Sequence, residues 1–168
     1  STKDIANKES DFEYKNNDLI KQTDPKGSSF HYTYDSKHNL TKATTSENVV
    51  YSFDYDTKGN AVRSRIEGTD LYTESNASYT SDKNYVSQMQ DADGNTVDYD
   101  YNTTKGTLNS VTDAKGSVTD YSYDTMDRLT SVSKEVDGQT ITNSYSYVDD
   151  RLKSITHNNF SYNFAYDV

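Results

Sequence analysis

The chain has no cysteine, which excludes a disulfide framework and any cysteine-based metal site and leaves the redox compartment unassigned. Apolar residues are scarce. They make up 31% of the 168 residues, against the usual ~45–50% that counts glycine as well. No apolar run approaches the ~18 residues of a membrane span, and no secretory leader pattern opens the chain. Basic residues are also few, 17 against 27 acidic, for a net charge of −10. No basic cluster occurs. Binding to a nucleic-acid backbone is therefore disfavoured. The negative charge instead suits an extended β-surface that must stay soluble and keep its edges apart. With one proline and seven glycines, there is no Pro/Gly/Ser-rich spacer, and helical periodicity is missing throughout.

A mean hydropathy of −1.04 would ordinarily indicate disorder. What is present argues otherwise. The 16 tyrosines and 5 phenylalanines fall mainly on alternating positions, as strands require. Tyrosine joins a large apolar ring to a polar tip, so a sheet packed through it buries area while scoring as hydrophilic.

The clearest unit is Tyr121-Ser122-Tyr123-Asp124-Thr125-Met126-Asp127-Arg128-Leu129-Thr130-Ser131-Val132. Tyr121 and Tyr123 share one face of a strand, 124–128 is rich in turn formers, and 129–132 returns as a second strand. Variants recur about every 19–24 residues, centred on Tyr14, Tyr34, Tyr55, Tyr79, Tyr101, Tyr123, Tyr147 and Tyr166. An apolar residue follows each of the first seven: Leu19, Leu40, Val62, Val86, Leu108, Leu129 and Leu152. In four units a second small or apolar residue comes three positions later, at Ala43, Val111, Val132 and Ile155. A step of three breaks strand alternation and points to a β-bulge or a strong local twist.

A second turn closes each unit. Asp24-Pro25-Lys26-Gly27, Asp91-Ala92-Asp93-Gly94 and Asp113-Ala114-Lys115-Gly116 have the chemistry of a type I turn followed by a glycine bulge. Gly27, Gly94 and Gly116 should therefore take positive φ. Asp137-Gly138 and Glu67-Gly68 are looser versions. The pattern predicts an all-β chain of fourteen to sixteen sequential antiparallel strands. The array should cover 12–168, with 1–11 as a flank that frays or adds an edge strand, and segment 67–90 as the least regular unit.

Tyr34-Asp35-Ser36-Lys37-His38-Asn39-Leu40, Tyr55-Asp56-Thr57-Lys58-Gly59-Asn60-Ala61 and Tyr123-Asp124-Thr125-Met126-Asp127-Arg128-Leu129 resemble the Tyr-Asp (YD) repeats of RHS and teneurin-type proteins. Lys15, Thr80, Asn102 and Val148 stand where the repeat has aspartate. The resemblance implies a continuous curved sheet of β-hairpins, a segment of a spiral shell. In bacterial polymorphic toxins that shell encloses or carries a C-terminal toxin domain, and the texture here is most like wall-associated YD-repeat toxins of Gram-positive bacteria. In teneurins the shell belongs to an adhesion receptor. Neither the self-cleaving domain that ends many such shells nor a toxin domain is recognisable, and the chain reads as excised from a longer array.

No residue set in the sequence points to catalysis. His31, His38 and His157 show no metal-ligand spacing, and no Gly-x-Ser-x-Gly elbow occurs. Asp91 and Asp93 sit in a glycine turn, which accounts for them better than acid–base work; with Asn95 they could take adventitious calcium, but the loop is too short to supply six oxygens. The expectation is a non-enzymatic scaffold without cofactors. Its structural residues are Tyr32, Tyr34, Asp35, Tyr55, Asp56, Tyr99, Tyr101, Tyr121, Tyr123, Asp124 and Tyr147 with the three turn glycines. Its partners are neighbouring repeats and an enclosed toxin domain. The alternative is an adhesive or glycan-binding surface module, since tyrosine faces also stack sugars. An isolated segment would further be expected to self-associate through its sheet edges.

Overall fold

The computed structural model describes residues 1–3 and 9–167. Among them every regular element is a strand, and the sixteen strands follow one another in the sheet in sequence order. Five of the eleven residues of the expected flank, 4–8, and the last residue lie outside the described residues.

The chain divides into two compact units, Ser1–Ala77 with Gln90–Gly94 and Ser78–Met89 with Asn95–Val168. The first holds β1 (Thr2–Lys3), β2 (Glu9–Lys15), β3 (Asp18–Thr23), β4 (Ser29–Tyr34), β5 (Leu40–Thr44), β6 (Val50–Tyr55), β7 (Ala61–Glu67) and most of β8 (Tyr72–Tyr79). The second holds most of β9 (Val86–Gln90), then β10 (Thr96–Asn102), β11 (Thr107–Thr112), β12 (Val118–Tyr123), β13 (Leu129–Val136), β14 (Gln139–Val148), β15 (Arg151–His157) and β16 (Phe160–Asn163).

The hairpins share one register. Tyr34 faces Leu40, Tyr55 faces Ala61, Tyr101 faces Leu108, Tyr123 faces Leu129 and Tyr147 faces Leu152. The register slips just before each of these tyrosines, so that one residue of the returning strand (Thr41, Val62, Asn109, Thr130 or Lys153) has no partner. This is the bulge that the three-residue step announces. It restores the face: Ala43 meets Tyr32, Val111 meets Tyr99, Val132 meets Tyr121 and Ile155 meets Tyr145. In the third unit Val62 is the residue left over and Ala61 faces the tyrosine, so the apolar position read from sequence is one residue late there.

Tyr32 and Tyr34, Tyr99 and Tyr101, and Tyr121 and Tyr123 occupy alternate positions of single strands and so project to one face. All six are half-buried, while Thr33, Asp100 and Ser122 between them are exposed. The opposite face is rich in Ser, Thr and charge. No described side chain is fully buried.

Candidate functional site: the Tyr-Asp turns

The turns explain why aspartate follows tyrosine. Asp124 N–H donates to the Arg128 carbonyl (3.0 Å), and its own carbonyl accepts from Asp127 N–H (3.1 Å). Its Oδ1 accepts the N–H groups of Met126 (2.9 Å) and Arg128 (3.0 Å). The carboxylate thus satisfies turn donors that no strand reaches. Asp35 repeats this with Lys37 and Asn39, Asp56 with Lys58 and Asn60, and Asp113 with Lys115 and Ser117. Asp24 does so with Lys26 and Ser28. The Tyr-Asp turn and the Asp-x-x-Gly turn, which coincide in sequence at 56–59, are therefore one structure at opposite ends of the hairpins.

The fourth residue of that structure takes positive φ. Gly27, Gly94 and Gly116 do so at 91°, 84° and 79°, and His38 and Asp127 at 66° and 59°. Asparagine, aspartate and histidine tolerate this region better than other non-glycine residues, which is why the glycine is optional. Gly68 is different: it stands outside the positive-φ set, and its N–H donates to the Leu71 carbonyl at 2.8 Å. Where aspartate is missing, the loop has changed. Lys15 and Val148 pair directly with Asp18 and Arg151 across two left-handed residues, Asn16-Asn17 and Asp149-Asp150. These are two-residue hairpins that need no carboxylate. Thr80 substitutes with its hydroxyl, which accepts from Tyr85 N–H at 3.2 Å.

The carboxylates respond to this setting. Asn39, through its side-chain amide and then its backbone N–H, holds Asp35 below the usual carboxylate range. The backbone N–H of Ser117 and then Lys134 lower Asp113, and the backbone and guanidinium of Arg128 lower Asp124.

Tyrosine hydroxyls link successive hairpins. Tyr55 donates to the Leu40 carbonyl (2.8 Å), Tyr123 to Leu108 (3.0 Å), Tyr147 to Leu129 (2.8 Å) and Tyr166 to Leu152 (2.9 Å). Between repeats the ladder stops two residues short of these leucines, at Lys42, Ser110, Ser131 and Ser154. The phenol therefore takes a carbonyl that would otherwise lack a strand partner. Burial raises the pKa of Tyr55, with a further push from Asp35. Tyr101 is raised by burial and by Tyr99 and Tyr85; the ring of Tyr85 stacks on it at 4.9 Å.

The turns also touch along the sheet end. His38 Nδ1 lies 2.9 Å from Asp18, and Lys37 Nζ donates to the Thr57 carbonyl at 2.6 Å. In the second unit Lys105 pairs with Asp127 at 2.6 Å, and Arg128 bridges Asp124 and Asp150. Sequence reading missed these ties because their partners lie about one repeat apart. Of the other histidines, His157 Nδ1 meets Asn143 Oδ1 at 2.6 Å, and His31 is exposed on β4. Among the described residues no group of three or more His, Asp or Glu is placed to hold a metal, and Asp91 Oδ1 accepts Asp93 N–H at 3.0 Å as a turn residue.

The RHS repeat family matches residues 14–50 and 104–140. No curated protein sequence matches the chain. Among solved structures, the crystal structure of TcdB2-TccC3-TEV is similar over 92% of this chain and 10% of its own, with a TM-score of 0.68 and 18% identity. A Photorhabdus luminescens Tc holotoxin pore carrying a TccC3 variant is similar over 92% and 9%, with a TM-score of 0.66 and 18% identity. The crystal structure of TcdB2-TccC3 without its hypervariable C-terminal region is similar over 76% and 7%, with a TM-score of 0.60 and 16% identity. This chain thus spans about a tenth of the length of the solved chains it resembles.

Proposed function

From a chain built of RHS, or Tyr-Asp, repeats, we propose a non-catalytic scaffold: a segment of the YD-repeat shell of a large secreted or cell-wall-associated bacterial toxin, encasing or presenting a C-terminal toxin domain. One observation carries this reading. The side chains that define the repeat are spent on the repeat itself, with Asp124 closing its own turn and Tyr123 gripping Leu108 of the hairpin before it. The likeness to TcdB2-TccC3 structures supports the same architecture. On this reading the array is 12–168, 1–11 is a flank, and Tyr32, Tyr34, Asp35, Tyr55, Asp56, Tyr99, Tyr101, Tyr121, Tyr123, Asp124, Tyr147, Gly27, Gly94 and Gly116 are its structural set. On this reading the protein works outside the cell, in the manner of wall-associated YD-repeat toxins.

The test is limited proteolysis of the full-length protein. A shell should protect the polypeptide that follows the array, and a combined Tyr123→Ala and Tyr147→Ala variant should expose it. Equal cleavage of that polypeptide in both proteins, at the rate of an unfolded control, would overturn the encasing role.

The adhesive or carbohydrate-binding alternative has one observation in its favour. The ring of Tyr72 stands exposed on the polar face, away from the tyrosines that bind hairpin to hairpin.

A further inference from the structure

Tyr85 closes the 80–85 loop, just before β9. Both of its backbone groups are tied to Thr80: its N–H donates to Oγ1 at 3.2 Å, and its carbonyl accepts Thr80 N–H at 2.8 Å. The ring stacks on that of Tyr101 in β10, with centroids 4.9 Å apart and planes 22° from parallel. Tyr101 is fixed in turn by its ladder position opposite Leu108. Room for the Tyr85 phenol is made at Gly106, where a Cβ would stand 2.6 Å from the hydroxyl oxygen. Both rings are half-buried. Two phenols are thus held face to face by the backbone that carries them.

The chain has neither cysteine nor tryptophan, the side chains that would otherwise yield a single electron before tyrosine does. A phenol that loses one electron also gives up its O–H proton and becomes a neutral phenoxyl radical, with spin on the ring carbons ortho to oxygen. Two such radicals in contact join through those carbons. The ortho hydrogens are then lost from carbon as both phenols are restored. The product is dityrosine: one carbon–carbon bond replaces two ring C–H bonds, and two protons and two electrons leave in all. The electrons go to a one-electron oxidant, such as a haem peroxidase that reduces hydrogen peroxide to water. Separate phenols must meet by diffusion for this, whereas stacked rings are already within reach. Half-burial also keeps a second chain from either ring, in contrast to Tyr14 and Tyr162, which are 65% and 59% exposed.

We propose that Tyr85 and Tyr101 form an oxidative cross-linking site, which couples as dityrosine and staples the 80–85 loop to the β10–β11 hairpin. A chain without disulfides gains from it what a disulfide supplies, a constraint on the unfolded state. The site stands apart from the scaffold reading, because it concerns one ring pair and not the array around it. The test is brief illumination of the 168-residue chain with tris(bipyridyl)ruthenium, with persulfate as the electron acceptor, followed by isolation of the monomer. Cleavage after lysine and before aspartate separates Tyr85 in peptide 84–90 from Tyr99 in 98–99 and Tyr101 in 100–105. Peptides 84–90 and 100–105 should be recovered joined, lighter than their sum by two hydrogens, and with the blue fluorescence of dityrosine. The cross-linked monomer should melt at a higher temperature than the parent. Unfolding in urea before illumination should lower the yield of this link about tenfold or more. Tyr85→Phe keeps the stacked ring but has no phenol to oxidise and should abolish the link, while Tyr99→Phe should leave it intact. No joined peptide in the illuminated monomer, a yield undiminished in urea, or Tyr85 joined chiefly to the Tyr99 peptide would each overturn the proposal.

Discussion

Tyr147 is gripped twice by the hairpin before it: its hydroxyl donates to the Leu129 carbonyl at 2.8 Å, and the guanidinium carbon of Arg128, one residue earlier, lies 4.6 Å from its ring centroid. Arg128 at the same time bonds Asp124 in its own turn and Asp150 in the next. One residue pair thus ties a turn, a strand and the following turn together. Arg128→Lys keeps the charge but loses the planar fork and its fit to the ring. It should lower the melting temperature measurably. Asp150→Asn should change it little, since Asp150 is 78% exposed and exposed pairs contribute weakly. Equal effects of the two substitutions would show that the fork carries nothing.

Removing single phenol groups isolates the bond between hairpins. Tyr123→Phe and Tyr55→Phe each leave the ring and delete the donor to Leu108 or Leu40. Each should cost about 0.5–1.5 kcal/mol in urea unfolding, and the double variant should lose the sum, because the sites share no partner. Unaltered unfolding midpoints in both single variants would remove the hydroxyl from the account.

Two glycines with similar backbones should differ. Gly116 at φ 79° has open space where a Cβ would go, so Gly116→Ala should cost on the order of 1 kcal/mol from backbone strain. Gly106 at φ 77° would place that Cβ 2.6 Å from the Tyr85 hydroxyl. Its replacement by alanine must also displace a ring stacked on Tyr101. Thermal denaturation should therefore rank Gly106→Ala as clearly the more damaging; the reverse order would contradict this placement of Tyr85.

Acid should loosen the turns. Asp35, Asp113 and Asp124 have pKa values lowered in the folded state, so the unfolded chain binds protons more readily than the native one. Their contribution is fully present above the ordinary carboxylate pKa of about 4. It is lost as pH falls from there through the lowered native values. Unfolding midpoints across that window should drop, and the slope should flatten in Asp124→Asn. An unchanged slope would mean that this carboxylate titrates alike in both states.

Much of the fold was legible because each repeat solves its structure locally. Tyr121 and Tyr123 announce a strand face, Leu129 and Val132 announce the bulge by their spacing, and Gly116 announces the left-handed turn residue. What stayed hidden acts between repeats. The bond from Tyr123 to Leu108 is made to a backbone carbonyl, and a carbonyl leaves no mark on residue choice. The common identity of the two turns was masked because His38 and Asp127 fill the position that glycine fills in Gly27. Tyr72 could have been found by phase alone, since it stands an odd number of residues from Tyr79 and so falls on the opposite face of β8.

Within each unit the described strands pair with their neighbours in sequence, and no described side chain is sealed in a common interior. Such an array is a one-dimensional cooperative system, whose stability is a sum of units and the joints between them. Order can enter at any hairpin and spread by short loop closures, since no strand waits for a distant partner. Damage should stay equally local: a broken joint lets the strands on either side fray while the rest holds. A polymer of this kind grows rather than collapses, so its length is free to change by whole hairpins.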